Sequence, residues 1–269
     1  MPHLLRRPQL TPGVPVHDVT PATAGWTHVG FEVVDLKAGD VLRRAGLGRE
    51  LCLVMVSGQA SAMADGHDFG VLGGRSSPFE GNPAALYVPP GVTARLSALG
   101  ACEVAICSAP AAGKHPPRLI RPGEVGEETR GQGSNTRHVR NILPDTSPHA
   151  ESLLVVEVIT PGGNWSSYPP HRHDREDLPH ESRLEETYYH RLNPPQGYAV
   201  QRVYTDDRSL DEVMVVHDRD VVLVPEGYHP VGAAHGYDLW YLNVMAGPER
   251  VWRFHNDPDH AWLIPPPKP

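Results

Sequence analysis

Tyr168-Pro169-Pro170-His171-Arg172-His173 is followed by Leu184-Glu185-Glu186-Thr187-Tyr188-Tyr189 and later by Pro225-Glu226-Gly227-Tyr228-His229. On a strand, side chains two apart point to the same face. His171 and His173 can therefore reach one ion from a rigid backbone. Together with His229 and one carboxylate they form the donor set of a mononuclear metal site. An open position on such an ion makes a site catalytic rather than structural. Glu185 and Glu186 are neighbours on a strand and face opposite ways, so only one of them can join the set. A His-x-His alone says little in a chain with 16 histidines. The reading rests on its conjunction with a strand-borne Glu and a His that follows Pro-x-Gly.

Outward from these motifs, Gly (26) and Pro (29) cut the chain into segments too short for most helices. The pieces between them are rich in Val, Tyr, Trp and Ile and read as strands. Trp26–Val34, Glu50–Val56 and Ala101–Cys107 are such pieces in the first half. Leu153–Ile159, Ala199–Tyr204, Val213–Val216, Val221–Val224 and Leu239–Met245 are their counterparts in the second. Residues Arg208 to Glu212 have room for one helical turn. Many short, evenly spaced strands imply an all-β sandwich or barrel. The halves read as loose copies of each other. Each has an apolar strand ending in Pro-Pro-Gly91 or Pro-Glu-Gly227, then a turn and another apolar strand. The expected division is a first barrel over 1–115, a linker and loop over 116–141, and a second barrel over 142–269. The first half has no His-x-His, and Val92-Thr93 stands where the second half has Tyr228-His229, so only the second barrel carries a metal motif. The polar tract from Gly123 to Arg137 reads as solvated loop. Its Arg130, Asn135 and Arg137 are alternatively placed to cover the mouth of a site.

A length of 269 residues suffices for a sizeable core, and 39% hydrophobic residues is a globular composition. The net charge of -8, with scattered basic residues, argues against a nucleic-acid or acidic-membrane partner. Cys52, Cys102 and Cys107 are odd in number and form no Cys-x-x-Cys pair, which fits a reducing cytoplasm. No apolar run is long enough for a signal peptide or a membrane span. There is no Gly-x-Gly-x-x-Gly after a strand and no P-loop, so no nucleotide cofactor is expected. Free strand edges leave pairing into a homo-oligomer open.

Gly163 to His173, a following Glu, Pro225-x-Gly227-x-His229 and Asn243 together resemble the two cupin motifs. Cupins are small antiparallel jelly-roll barrels whose metal sits inside on three His and one Glu. The resemblance implies a bicupin, all-β, with one metal-bearing barrel. Two departures are visible: Asp174 to Leu184 lengthens the gap before the Glu, and one residue is missing between Gly227 and His229. The cupin order of Glu, one residue, then two aromatics fits Glu186-Thr187-Tyr188-Tyr189. Glu186 is therefore the preferred fourth ligand beside His171, His173 and His229, with Glu185 the alternative. Such a site suits zinc first, and also manganese, iron or nickel.

Longer runs are more specific. Ser166–Asp174, Leu184–Gly197, Gln201–Asp211, Pro225–Tyr237, Leu242–Pro248 and Phe254–His260 look like the 5-deoxy-glucuronate isomerase family of inositol catabolism, relatives of the uronate isomerases. The match is dense from about Gly163 to Trp262 and loose in the first half. It implies an aldose–ketose isomerase that converts 5-deoxy-D-glucuronate to 5-dehydro-2-deoxy-D-gluconate with one divalent ion. Candidates for moving the proton are Glu212, Tyr241 and Tyr188, with Asp211 as an alternative. Tyr241 and Asn243 share a strand face, so a ligand-side Asn243 brings Tyr241 inward. Arg202 is the expected clamp for the substrate carboxylate, with Arg172, Arg191 or the linker arginines as alternatives. Tyr168, Tyr189, Trp240 and Trp252 read as core or pocket wall. Other readings of the same ligands are a uronate isomerase of another kind, an epimerase, a dioxygenase, or a non-catalytic sugar-binding cupin.

Overall fold

The computed structural model describes residues 3–264; the outermost residues of the expected ranges 1–115 and 142–269 lie outside the described residues. Two barrels repeat one plan. In the first, the strands Gly30–Leu36, Arg49–Ser57, Ala85–Val88 and Cys102–Pro110 form one sheet. Val41–Ala45, Gln59–Ala64, His67–Gly73 and Thr93–Ala98 form the facing sheet. In the second, Leu154–Thr160, Glu185–Asn193, Val221–Val224 and Asp238–Ala246 build the matching sheet. Trp165–Ser166, Ala199–Tyr204, Asp211–Val216 and Val231–Ala233 face it. Every ladder among them is antiparallel, and the long sheets share one strand order. These are two cupin-type jelly-roll barrels.

Each long sheet is apolar on both faces, because one face lines its own barrel and the other packs on the partner sheet. That explains why Leu51 to Val56 is buried without a break rather than alternating. Phe31, Val33, Cys52, Val54 and Tyr87 meet Tyr189, Leu223, Trp240, Leu242 and Val244 in one joint core between the barrels. Leu53, Met55, Leu86, Leu96 and Val104 fill the interior of the first barrel. The interior of the second holds Val203, Met214, Val222, Val231 and Tyr241 instead.

Buried carboxylates pin the joint from both sides. Glu50 accepts backbone N–H groups of Glu151, Ser152 and Leu153 at 2.9, 2.7 and 2.6 Å, and the Tyr87 hydroxyl at 2.7 Å. Glu185 reciprocates, accepting the N–H groups of Thr27, His28 and Val29 at 2.7, 2.6 and 2.9 Å. Each carboxylate leaves one barrel and closes the turn that enters the first long strand of the other. Glu157 adds a bidentate pair with Arg75, both contacts at 2.8 Å, and a third bond from Arg140 at 2.9 Å.

The linker reading of 116–141 requires correction, since much of this segment is strand. Arg118–Ile120 joins the first barrel's sheet beside Ala85–Val88. Gly126–Arg130 and Arg137–Leu143 form a hairpin that widens the second barrel's sheet next to Leu154–Thr160. Gly126–Arg130 is an edge strand exposed to water on both faces, so it carries no apolar period to read. At the other end, Leu5–Arg6 pairs with Val221–Val222 of the second barrel. The barrels thus exchange segments, and no cut in the chain separates them cleanly. The expected helical turn over 208–212 is also absent: Arg208 has φ 59° in a tight turn, and the strand begins at Asp211. No helix among the described residues is long and apolar enough to cross a membrane.

Replacing Glu50 by Ala leaves three backbone donors without their acceptor in a buried joint. Its expected effect is a loss of roughly 2–4 kcal/mol of unfolding free energy. Glu176→Ala, on an exposed hairpin, is expected to cost under about 0.5 kcal/mol. Urea unfolding of both variants checks the difference.

Candidate metal centre

The Glu185–Asn193 strand runs between the two long ladders of its sheet, and its alternation separates two jobs. Glu185, Tyr189 and Arg191 turn to the joint; Tyr189 donates to Glu103 at 2.7 Å and Arg191 binds the same carboxylate at 2.7 Å. Glu186, Tyr188 and His190 turn into the barrel. The Glu186 carboxylate oxygen Oε2 lies 3.0 Å from Nε2 of His173 and 3.1 Å from Nε2 of His229. Ring nitrogens of His171, His173 and His229 all lie within 4.8 Å of one another.

Each imidazole is aimed by its backbone. The His173 Nδ1 group donates to the Leu184 carbonyl at 3.2 Å, and that of His229 to the Gly227 carbonyl at 2.9 Å. Gly227 has φ +86°, and a Cβ there would sit 2.4 Å from the Tyr204 carbonyl oxygen. Only glycine fits this turn, and the turn delivers His229. Phe254 packs on His171 with ring centroids 4.6 Å apart.

With both Nδ1 hydrogens engaged by carbonyls, the neutral tautomers present Nε2 lone pairs towards a carboxylate, which also accepts. Acceptors converging on one point repel unless a cation sits among them. The buried His229 Nε2 has no hydrogen-bond partner. One proton relieves one such contact; a divalent ion relieves them all. The three imidazoles and Glu186 therefore fit a metal ion. Burial works to lower the His173 imidazole, but its hydrogen bond to Glu186 and the Glu186 charge outweigh it and raise it. Burial works to raise the Glu186 carboxyl, but His229 and His173 outweigh it and hold it at about 2. Burial, then the neighbouring imidazoles, pushes His171 well below its ordinary value, so it offers a free lone pair at neutral pH.

A small cavity opens onto this cluster. Its wall includes His171, Glu186, Tyr188, Tyr241, Asn243 and Ser167, and on the other side Arg130, Arg137, Val139, Val158 and Trp252. Tyr188 and Ser167 share a hydrogen bond of 2.8 Å between their hydroxyls. Burial, and then the Glu186 charge, lifts the Tyr188 phenol well above its ordinary value, and burial also lifts Tyr241. The rings of these tyrosines are 4.8 Å apart. Tyr168 stands at the mouth with Arg137, Trp252 and Phe254.

Several expected residues lie elsewhere. Glu212 shares the strand face of Met214 and Val216 but lies exposed near the start of its edge strand, outside the cavity wall. Arg202 also faces outward, because Ala199, Gln201 and Val203 take the inward positions of its strand. It gives a bidentate bond to Asp211, at 2.8 and 2.7 Å, which occupies both side chains. Arg172, between the two histidines, points the opposite way and is bound by Glu181, Asp206 and Tyr228. Arg191 belongs to the joint. The sequence reading missed Ser167 and the valine pair; Ser167, at φ 49°, follows directly from the Ser-Ser step before Tyr168.

Fold and cluster define a bicupin that, among the described residues, has its His-rich, carboxylate-bearing pocket in the second barrel. Residues 4–263 match the model of the KduI/IolB family, and the chain belongs to that family. It is 56% identical over 247 residues to the 5-deoxy-glucuronate isomerase of Geobacillus kaustophilus (strain HTA426), covering 91% of this chain and 89% of that protein. The crystal structure of an IolB-like protein from Salmonella typhimurium LT2 superimposes with a TM-score of 0.94 at 52% identity, covering 97% of this chain and 99% of that one. The oxalate decarboxylase of Lactobacillus farciminis shares the fold at 13% identity, with a TM-score of 0.66 over 92% of this chain and 85% of its own.

Elemental analysis of the purified protein is expected to find about one divalent ion per chain. His173→Ala is expected to lose most of that ion, whereas Glu212→Gln, outside the cavity, keeps it.

Proposed function

We propose that this chain is a metal-dependent aldose–ketose isomerase that converts 5-deoxy-D-glucuronate to 5-dehydro-2-deoxy-D-gluconate. The single observation that carries the reading is the gathering of His171, His173 and His229 beside a cavity, with Glu186 against two of them, in a chain whose relatives are isomerases of that name. A divalent ion held there, zinc first and otherwise manganese, iron or nickel, would polarise the substrate carbonyl and offset charge on the neighbouring oxygen.

The residues around the cluster supply the rest. Tyr188 and Tyr241 keep their protons at neutral pH because burial raises both phenols. They therefore donate to substrate oxygens as charge develops, and with Ser167 they offer a path for a proton between two adjacent oxygens. Asn243, buried on the same strand face as Tyr241, supplies a further polar contact. Among the described residues of the cavity wall, the groups that lack a proton at neutral pH are His171 and Glu186, and both belong to the ligand set. No carboxylate or imidazole is left to take a proton from carbon. This supports transfer of hydride from C2 to C1, with the hydroxyl proton passing from O2 to O1. The C2 alcohol becomes the ketone and the C1 aldehyde becomes the alcohol, so atoms and electrons balance within the substrate. The three cysteines are free and buried, in keeping with a cytoplasmic enzyme.

Purified protein given 5-deoxy-D-glucuronate is expected to form the ketose. Chelator should stop the reaction, added divalent ion should restore it, and His171→Ala should be inactive. Oxygen uptake with substrate points to a dioxygenase, and binding without turnover to a storage cupin; either result ends the isomerase reading. Run in deuterated water, the reaction is expected to place no deuterium on carbon. Deuterium on the product's hydroxymethyl carbon, the former aldehyde carbon, would show that a base acts on carbon after all.

A further inference from the structure

The cavity has two chemically different ends, and the ligand cluster accounts for one of them. At the other end Arg137 faces the space with its charge unpaired. Its Nη1 group donates to the carbonyls of Asn135 and Tyr168, at 3.1 and 3.2 Å, which fixes the guanidinium plane. Nε and Nη2 have no partner among the described residues, and no described carboxylate pairs with it. Other buried or half-buried arginines differ. Arg75, Arg140, Arg172 and Arg191 each hold a carboxylate. Arg250 spends its donors on five backbone carbonyls.

A second observation is independent of the first. Arg130 and Arg137 are direct cross-strand partners in the hairpin, and both line the cavity. Like charges directly opposite on a ladder are destabilising. Glu128 relieves Arg130, at 2.6 Å, but does not pair with Arg137. A hairpin that places two guanidiniums side by side over a cavity is built for an anion between or beneath them. Next along the same strand face comes Val139, paired across the ladder with Val158, and both contribute to the wall. This end of the cavity is therefore cationic at the rim and apolar just below it.

We propose that Arg137, with Arg130 at the rim, receives the carboxylate of the sugar acid, and that Val139 and Val158 receive the methylene next to it. The assignment rests on the sugar-acid reading above and deepens it. In a 5-deoxy uronate the carbon beside the carboxylate carries no hydroxyl, so an apolar wall leaves nothing unsatisfied there. The hydroxyl-bearing carbons and the aldehyde lie at the other end of the chain, against the imidazoles, tyrosines and Asn243. Binding the acid end at Arg137 fixes which end of the molecule reaches the cluster.

The test uses the metal-loaded protein and an inert probe: 5-deoxy-D-glucuronate reduced at its aldehyde, and the methyl ester of that probe. Calorimetry compares wild type, Arg137→Met and Arg137→Lys, while turnover of the parent acid by wild type is followed separately. Wild type is expected to bind the acid about 30-fold or more tightly than the ester. Arg137→Met should bind both equally, and the ester as wild type does; Arg137→Lys should recover part of the preference. Because Arg137 also braces two loop carbonyls, equal weakening of acid and ester would mark a merely structural role and overturn the assignment. A retained preference for the acid in Arg137→Met, or no preference in wild type, overturns it as well. Charge-selective binding that depends on Arg137, without turnover by wild type, would uphold the subsite and end the isomerase reading.

Discussion

Two adjacent carboxylates on one strand carry the organisation of this molecule. Glu185 and Glu186 leave the backbone in opposite directions because successive strand residues must. The first closes a turn of the other barrel through three backbone N–H groups. The second reaches into its own barrel and meets two imidazoles. Tyr189 and Tyr188 repeat the division, as do Trp240 and Tyr241 on the neighbouring strand. The floor of the cavity and the seam between the barrels are thus two faces of one sheet. A shift of one residue in register would exchange them and destroy both. The burial of the seam is what holds that register.

The two barrels show what the same ladder does with different side chains. Glu186 pairs with Val224 just before Pro225-Glu226-Gly227, and Leu51 pairs with Val88 just before Pro89-Pro90-Gly91. Leucine therefore stands in the first barrel where the carboxylate stands in the second, and Thr93 follows its turn where His229 follows the other. The first interior is closed by Leu53, Leu86 and Leu96, packed as an ordinary core. The second tolerates buried charge because imidazoles and a carboxylate face one another and because carbonyls of Leu184 and Gly227 hold the rings in place. The first barrel contributes rigidity. Its Glu50 and Arg75 fasten the segments from which the second barrel's sheet and hairpin depart.

The hairpin of Gly126–Arg130 and Arg137–Leu143 ties these parts to the cavity. It widens the second barrel's sheet and lays one wall over the cluster. Electrostatically this sets a cationic rim above a floor whose donors are all acceptors, with valines and tyrosines between. Such a gradient suits the sugar acid proposed above, with its carboxylate at the rim.

Much of this was legible in the sequence, and the losses have a common cause. The His-x-His pair and the Pro-x-Gly-x-His turn were read from strand alternation and local spacing, and Glu186 was preferred to Glu185 on the resemblance to the cupin pattern; the structure gathers the three imidazoles and sets Glu186 against two of them. The all-β class followed from short apolar runs cut by Gly and Pro. Arg202 and Arg172 failed as cavity residues because a single residue's spacing does not say which face of a sheet is the inside, and Glu212 because its place on the strand lies beyond the cavity. Arg202 turns out because its neighbours Gln201 and Val203 turn in, and Arg172 turns out because His171 and His173 on either side of it turn in. The tract from Gly123 to Arg137 hid its strands because an edge exposed on both faces needs no apolar period. By itself, then, the sequence determined the histidine and carboxylate motifs, their local spacing and the repeated all-β plan, since these depend on neighbours along the chain. Only the tertiary structure decided which arginine meets the cavity, how the barrels lock and where the hairpin lies, because those depend on surfaces brought together by the fold rather than by neighbours along the chain.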